Sequence, residues 1–174
     1  TGFNFDITKY LKSGNNSLVV KVDNKRAPEQ IPTNIYDWWN YGGIPRDVTL
    51  ADVDETFVAD YSLQLDKKNW QHLQGYIQLN EKVAGVTVNV NIPELKLSQQ
   101  VTTDAEGRAA LSLTAKKLTL WTPENPKLYD VAITRGDETI SDQIGFRCIE
   151  TQGKKILLNG KHIFLRGVSI HEEA

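Results

Sequence analysis

The chain has 174 residues, of which 40% are hydrophobic and 24% charged, the balance of an ordinary folded domain and not of a disordered or fibrous chain. A net charge of −2 gives no electrostatic pull toward nucleic acid or an anionic membrane, and no apolar run approaches the roughly 20 residues that span a bilayer. A single cysteine, Cys148, excludes an internal disulfide framework, and the absence of methionine reads as the mark of a segment taken from a longer protein, whose compartment stays open.

Helical periodicity is almost missing, and period-two alternation is common. In the first fifty residues Leu18, Val20 and Val22 alternate with polar neighbours and predict a strand. Asn15-Asn16-Ser17 fits a glycosylation sequon, which carries meaning only in a eukaryotic secretory host. A long irregular stretch follows, from Asn24 to Tyr41, rich in Pro, Asn and aromatic residues.

Alternation then becomes regular. Leu63 and Leu65, Val86 to Ile92, and Ala109, Leu111 and Leu113 each place apolar side chains on one face, as in half-buried antiparallel strands. Glu106-Gly107 and Arg135-Gly136-Asp137 break the pattern as turns, and Pro93, Pro123 and Pro126 interrupt it where a central strand cannot continue. About seven short strands are expected between residues 51 and 149, the spacing of a β-sandwich. Beyond them, Leu157-Leu158-Asn159-Gly160-Lys161-His162-Ile163 predicts a hairpin, since Asn-Gly takes the positive φ values of a type I′ turn. One apolar strand, Ile163 to Val168, should follow. Neither end piece holds enough apolar surface for its own core, so each is expected to need the middle domain or a partner.

Three stretches carry a family resemblance. They are Asp37-Trp38-Trp39-Asn40-Tyr41-Gly42-Gly43-Ile44-Pro45-Arg46-Asp47-Val48; then Leu120-Trp121-Thr122-Pro123-Glu124-Asn125-Pro126-Lys127-Leu128-Tyr129 with Ile144-Gly145-Phe146-Arg147; then Leu158-Asn159-Gly160-Lys161, Leu165-Arg166-Gly167-Val168 and His171-Glu172. In this order and spacing the chain resembles the β-galactosidase, β-glucuronidase and β-mannosidase group of glycoside hydrolase family 2, and is most like a β-galactosidase. The resemblance implies an all-β chain. Residues 1–50 would be the last strands of a jelly-roll sugar-binding domain, residues 51–149 an immunoglobulin-like β-sandwich, and residues 150–174 the first hairpin and strand of a catalytic (β/α)8 barrel.

A retaining glycosidase needs two carboxylates about 5–5.5 Å apart across the scissile bond. The resemblance puts both on later barrel strands, beyond residue 174. This chain would then hold no catalytic residue and be inactive alone. Glu172 and Glu173 do not replace that pair, because neighbours on a strand point to opposite faces.

What the resemblance gives this chain is substrate binding. His171 would contact sugar hydroxyls, which a neutral imidazole suits with one donor and one acceptor, against the alternative of an exposed histidine at a loose end. Glu172 beside it could bind sugar or form a salt bridge behind the site. Asp37 would reach the sugar from the jelly roll, in some members through a bound sodium, oxygen chemistry that fits a carboxylate and a hard cation; the alternative is a loop cap. No cofactor is expected in the chain itself, with sodium or magnesium reserved for the full enzyme.

The remaining candidates read as structural. Trp38 and Trp39 are expected to pack a domain junction in preference to stacking on a pyranose. Asn40 and Arg46 could donate hydrogen bonds, and the guanidinium of Arg46 suits a junction carboxylate. Trp121 to Pro126 reads as a stiff crossing between strands, and His72 and His162 as surface or core histidines. His171-Glu172 could open a His-Glu-x-x-His zinc motif, but that motif needs a helix and Phe164 to Ile170 reads as strand. The expected partner is a carbohydrate with a terminal β-linked sugar, with no nucleic acid and no membrane, and a homo-oligomeric parent. The alternatives are a free-standing β-sandwich acting as a carbohydrate-binding or adhesion module, which predicts an exposed aromatic platform, and a spacer without ligand.

Overall fold

The structure is a computed structural model that describes residues 4–29, 42–44 and 46–170. It divides into two compact units, Ala51–Ser169 and Thr1–Leu50 with Ile170–Ala174.

In the larger unit seven strands form two antiparallel sheets. The first holds β1 (Val58–Leu65), β2 (His72–Leu79) and β5 (Arg108–Thr114), in the order β1-β2-β5. The second holds β3 (Thr87–Ile92), β4 (Leu97–Thr102), β6 (Tyr129–Arg135) and β7 (Glu138–Ile144), in the order β4-β3-β6-β7. This is an immunoglobulin-like sandwich in which the fourth strand pairs with the third instead of joining the first sheet.

Alternation builds the core. Val88, Val90 and Ile92 of β3 are fully buried, while Thr87, Asn89 and Asn91 between them are exposed. Ala109, Leu111 and Leu113 of β5 meet Leu73, Ile77 and Leu79 of β2 and Val131 and Ile133 of β6 in the same apolar cluster. Burying a side chain of the Val, Leu or Ile kind stabilises the fold by about 1.5–3 kcal/mol, so the ten such residues named here outweigh any single polar contact. Pro93 ends β3 by starting a short 3-10 turn, Pro93–Leu95. Gly75 of β2 pairs with Leu63 of β1, and a Cβ there would lie 1.8 Å from the Ser62 carbonyl oxygen, so the close approach of these strands requires glycine.

Tyr129 closes the long crossing from β5 to β6. It is buried at the start of β6, and its hydroxyl accepts a 2.9 Å bond from the Thr119 amide ten residues upstream, the arrangement of a tyrosine corner. Its ring packs against Phe146, with centroids 5.8 Å apart. The Trp121–Pro126 segment is architectural as read: Trp121 N–H donates to the Phe146 carbonyl at 2.9 Å, and Gly145 lets the indole approach, since a Cβ there would meet Trp121 Cδ1 at 2.8 Å.

A third small sheet follows, with β9 (Lys155–Leu158) between β8 (Ile149–Gln152) and β10 (Lys161–Ile163). Leu158 pairs with Lys161, leaving the two-residue turn Asn159-Gly160 with φ of 49° and 74°. The expected I′ turn is therefore present.

Two expected strands are absent. Leu18, Val20 and Val22 lie in no strand and are exposed, and β10 stops at Ile163, leaving Phe164, Leu165 and Val168 exposed and unpaired. The reason is common to both. Alternation specifies a face, but a strand forms only where a neighbour takes its backbone N–H and C=O groups, and among the described residues neither stretch has one.

Candidate functional site

Asp37, His171 and Glu172 lie outside the described residues, as do Trp38, Trp39, Asn40 and Tyr41. Close to the first motif, Gly42 lies against the Asn24 side chain, where an added Cβ would meet Asn24 Nδ2 at 2.9 Å; Arg46 is exposed. Asp37 has the oxygen chemistry for a hard cation, and no group of three or more His, Cys, Asp or Glu side chains gathers among the described residues.

Within the sandwich, the most chemically suggestive group is one that sequence reading set aside. His72 Nδ1 lies 3.3 Å from Asp66 Oδ2, and His72 Nε2 lies 2.9 Å from Ser112 Oγ. This carboxylate–imidazole–hydroxyl order is that of a nucleophilic triad. The surroundings give it another role. The Ser112 N–H, the natural donor to an oxyanion, is occupied by Gln99 Oε1 at 2.9 Å. His72 instead fastens the β1–β2 loop, with the Asp66 amide donating to the His72 carbonyl at 2.8 Å and the His72 amide to the Asn69 carbonyl at 2.9 Å. The Asp66 carboxyl is held below its ordinary range, first by the Lys68 backbone N–H and then by His72. His72 and Ser112 stand on different strands, so only the β2–β5 register, which pairs His72 with Thr114 and Gln74 with Ser112, could have revealed the contact. His162 is exposed on β10.

On the same sheet, Tyr76 donates to Asp60 Oδ2 at 2.7 Å, and the Arg108 guanidinium lies 3.6 Å from its ring centroid. The bond to Asp60 raises the tyrosine's pKa, with burial adding to it. A cation over the ring takes a face on which a pyranose would stack, so Tyr76 is poorly suited to serve as a sugar platform.

Where the small sheet meets the sandwich, one residue holds three segments together. Asn159 Oδ1 accepts the Cys148 N–H at 2.9 Å, Asn159 Nδ2 donates to the Trp121 carbonyl at 3.0 Å, and the Asn159 amide donates to the Cys148 carbonyl at 2.8 Å. Sequence reading identified Asn159 as a turn former and missed this lock, for which the sequence carries no local signal. Cys148 is buried, and burial, followed by the charge of Glu150, pushes its thiol pKa up.

Comparison with known proteins gives a consistent result. The family model described as Glycosyl hydrolases family 2 matches residues 48–147, more than half of the chain. A putative β-glucuronidase of Formosa agariphila is 31% identical over 99% of this chain and 22% of its own length. A β-galactosidase of Clostridium acetobutylicum is 31% identical over 97% of this chain and 20% of its own length. Among solved structures, a family 2 β-galacturonidase of Eisenbergiella tayi bound to galacturonate superposes with a TM-score of 0.61 at 28% identity, covering 81% of this chain and 27% of that one. The chain thus spans about a fifth of the length of these two curated relatives.

Proposed function

Because the chain belongs to glycosyl hydrolase family 2, we propose that it is a non-catalytic segment of a retaining exo-glycosidase that removes terminal β-linked sugars. In this reading residues 1–50 end a jelly-roll sugar-binding domain, residues 51–149 are the sandwich, and residues 150–174 open the catalytic barrel. The observation that carries it is the match of nearly the whole chain to one continuous stretch of much longer family relatives.

The two catalytic carboxylates belong to the rest of the protein. His171 and Asp37 contact sugar hydroxyls, with Glu172 beside them, and Asp37 would supply oxygen ligands to a sodium ion if one sits there. A β-galactoside is the first choice of substrate, following the motifs and the relatives named β-galactosidase. A β-uronide is the second, favoured by the Formosa relative and the Eisenbergiella structure.

Parallel assays of the full-length protein on aryl β-galactoside, aryl β-glucuronide and aryl β-galacturonide separate these readings. Activity on none of them would overturn the assignment. His171→Ala should lower kcat/KM about 10- to 100-fold, the loss of one or two hydrogen bonds in the transition state, with thermal stability unchanged. Unaltered kinetics would remove His171 from the site. The 174-residue chain alone should release no chromophore, and a rate above the buffer blank would contradict its non-catalytic role.

A further inference from the structure

Asn159-Gly160 is the one Asn-Gly pair in the sequence. It is chemically fragile, because glycine places no Cβ in the path by which its amide nitrogen can attack the preceding side chain. We infer that Asn159 is a deamidation site gated by the fold, kept dormant by the bonds with which it locks the hairpin to the sandwich. The Gly160 backbone nitrogen attacks Asn159 Cγ and a Cγ–N bond forms. The Cγ–Nδ2 bond breaks, and ammonia leaves with the proton given up by the attacking nitrogen. Water then opens either carbonyl of the cyclic imide, leaving aspartate or isoaspartate.

In the folded chain both polar atoms of the amide are committed. Oδ1 holds the Cys148 N–H and Nδ2 donates to the Trp121 carbonyl. The residue's own N–H is bound to the Cys148 carbonyl, and its φ of 49° belongs to the turn. Trp70, on the β1–β2 loop, stands beside the glycine, which is otherwise exposed, with its Cη2 3.3 Å from where a Gly160 Cβ would sit. The indole is itself fixed by a 3.2 Å bond from Nε1 to the Lys67 carbonyl. For Cγ to turn onto the Gly160 nitrogen, both side-chain bonds must break.

Conversion would also be irreversible in its structural effect. An aspartate can still accept from Cys148, but its second oxygen would face the Trp121 carbonyl with no proton to donate. An isoaspartate adds a main-chain methylene to a turn whose register allows two residues and no more. Each opening of the lock thus carries a chance of becoming permanent.

The test is peptide mapping by mass spectrometry of the 174-residue chain in mildly alkaline buffer, native and in urea. Native conversion at Asn159 should be at least about tenfold slower than in urea, as expected for a reaction that requires local opening. Equal rates would overturn the proposal. Trp70→Ala should hasten conversion in the folded chain, and an unchanged rate would remove the indole's part in the gate. Asn159→Asp should raise hydrogen exchange at the Cys148 amide, and unchanged exchange would sink the claim that conversion breaks the lock. Should that variant not fold, the native and urea rates of the unaltered chain still decide the matter.

Discussion

Tyr61 of β1 donates from its hydroxyl to Asp142 Oδ2 of β7, an edge strand of the opposite sheet. Burial, reinforced by that carboxylate, pushes the phenol pKa from 10.0 up to about 12. The folded state therefore holds this proton more tightly than the unfolded chain does. The contribution is complete below pH 10 and disappears as pH rises through 12. In an ultraviolet titration at constant fold, Tyr61 should ionise well after the exposed tyrosines, and Asp142→Asn should bring its midpoint down. A midpoint unmoved by that change would mean that burial acts alone. Other residue roles were beyond the reach of the sequence for a similar reason. Asn159 could be read as a turn former because positive φ is a local property, whereas its bonds to Cys148 and Trp121 depend on segments brought together by folding.

At the scale of elements, β3 and β5 were legible because each buries one face and leaves the other wet, so hydropathy alone traces them. The pairing of β4 with β3 was not, since its partly buried pattern would suit either sheet. Gly75 was also hidden, and it makes the sharper prediction. Gly75→Ala forces a methyl group into the Ser62 backbone on the adjacent strand, and should cost about 1–3 kcal/mol, the range for overpacking a core. Urea unfolding followed by tryptophan fluorescence measures this, and a midpoint equal to the parent's would show that the strands separate without loss. Leu18–Val22 and Phe164–Val168 mark the opposite limit, where the alternation is clear but no partner turns it into a strand.

For the chain as a whole, the sandwich was legible from its seven strand signals, and the family from motifs scattered along the sequence. The proposed sugar contacts stay inferences from sequence, because Asp37, His171 and Glu172 fall outside the described residues. The two units should differ in resistance to attack. In residues 4–29 almost every side chain is exposed and no strand forms, while residues 58–144 carry two laddered sheets over one core. Limited proteolysis should therefore cut before Ala51 and after Ile163 first and leave a fragment containing Val58–Ile163, since local opening is cheapest where few apolar contacts are broken. Early cleavage between β2 and β6 would contradict this.

Two of the side-chain contacts, Tyr61 to Asp142 and Arg135 to Asp54, each bridge 81 positions. They tie the entry of the sandwich to its exit. Peeling away residues 54–65 would break both contacts at the same moment and leave Arg135 with Glu138 alone, so damage that starts at one terminus of this body is felt at once by the other. A module fastened in this way loses its first and last strands together.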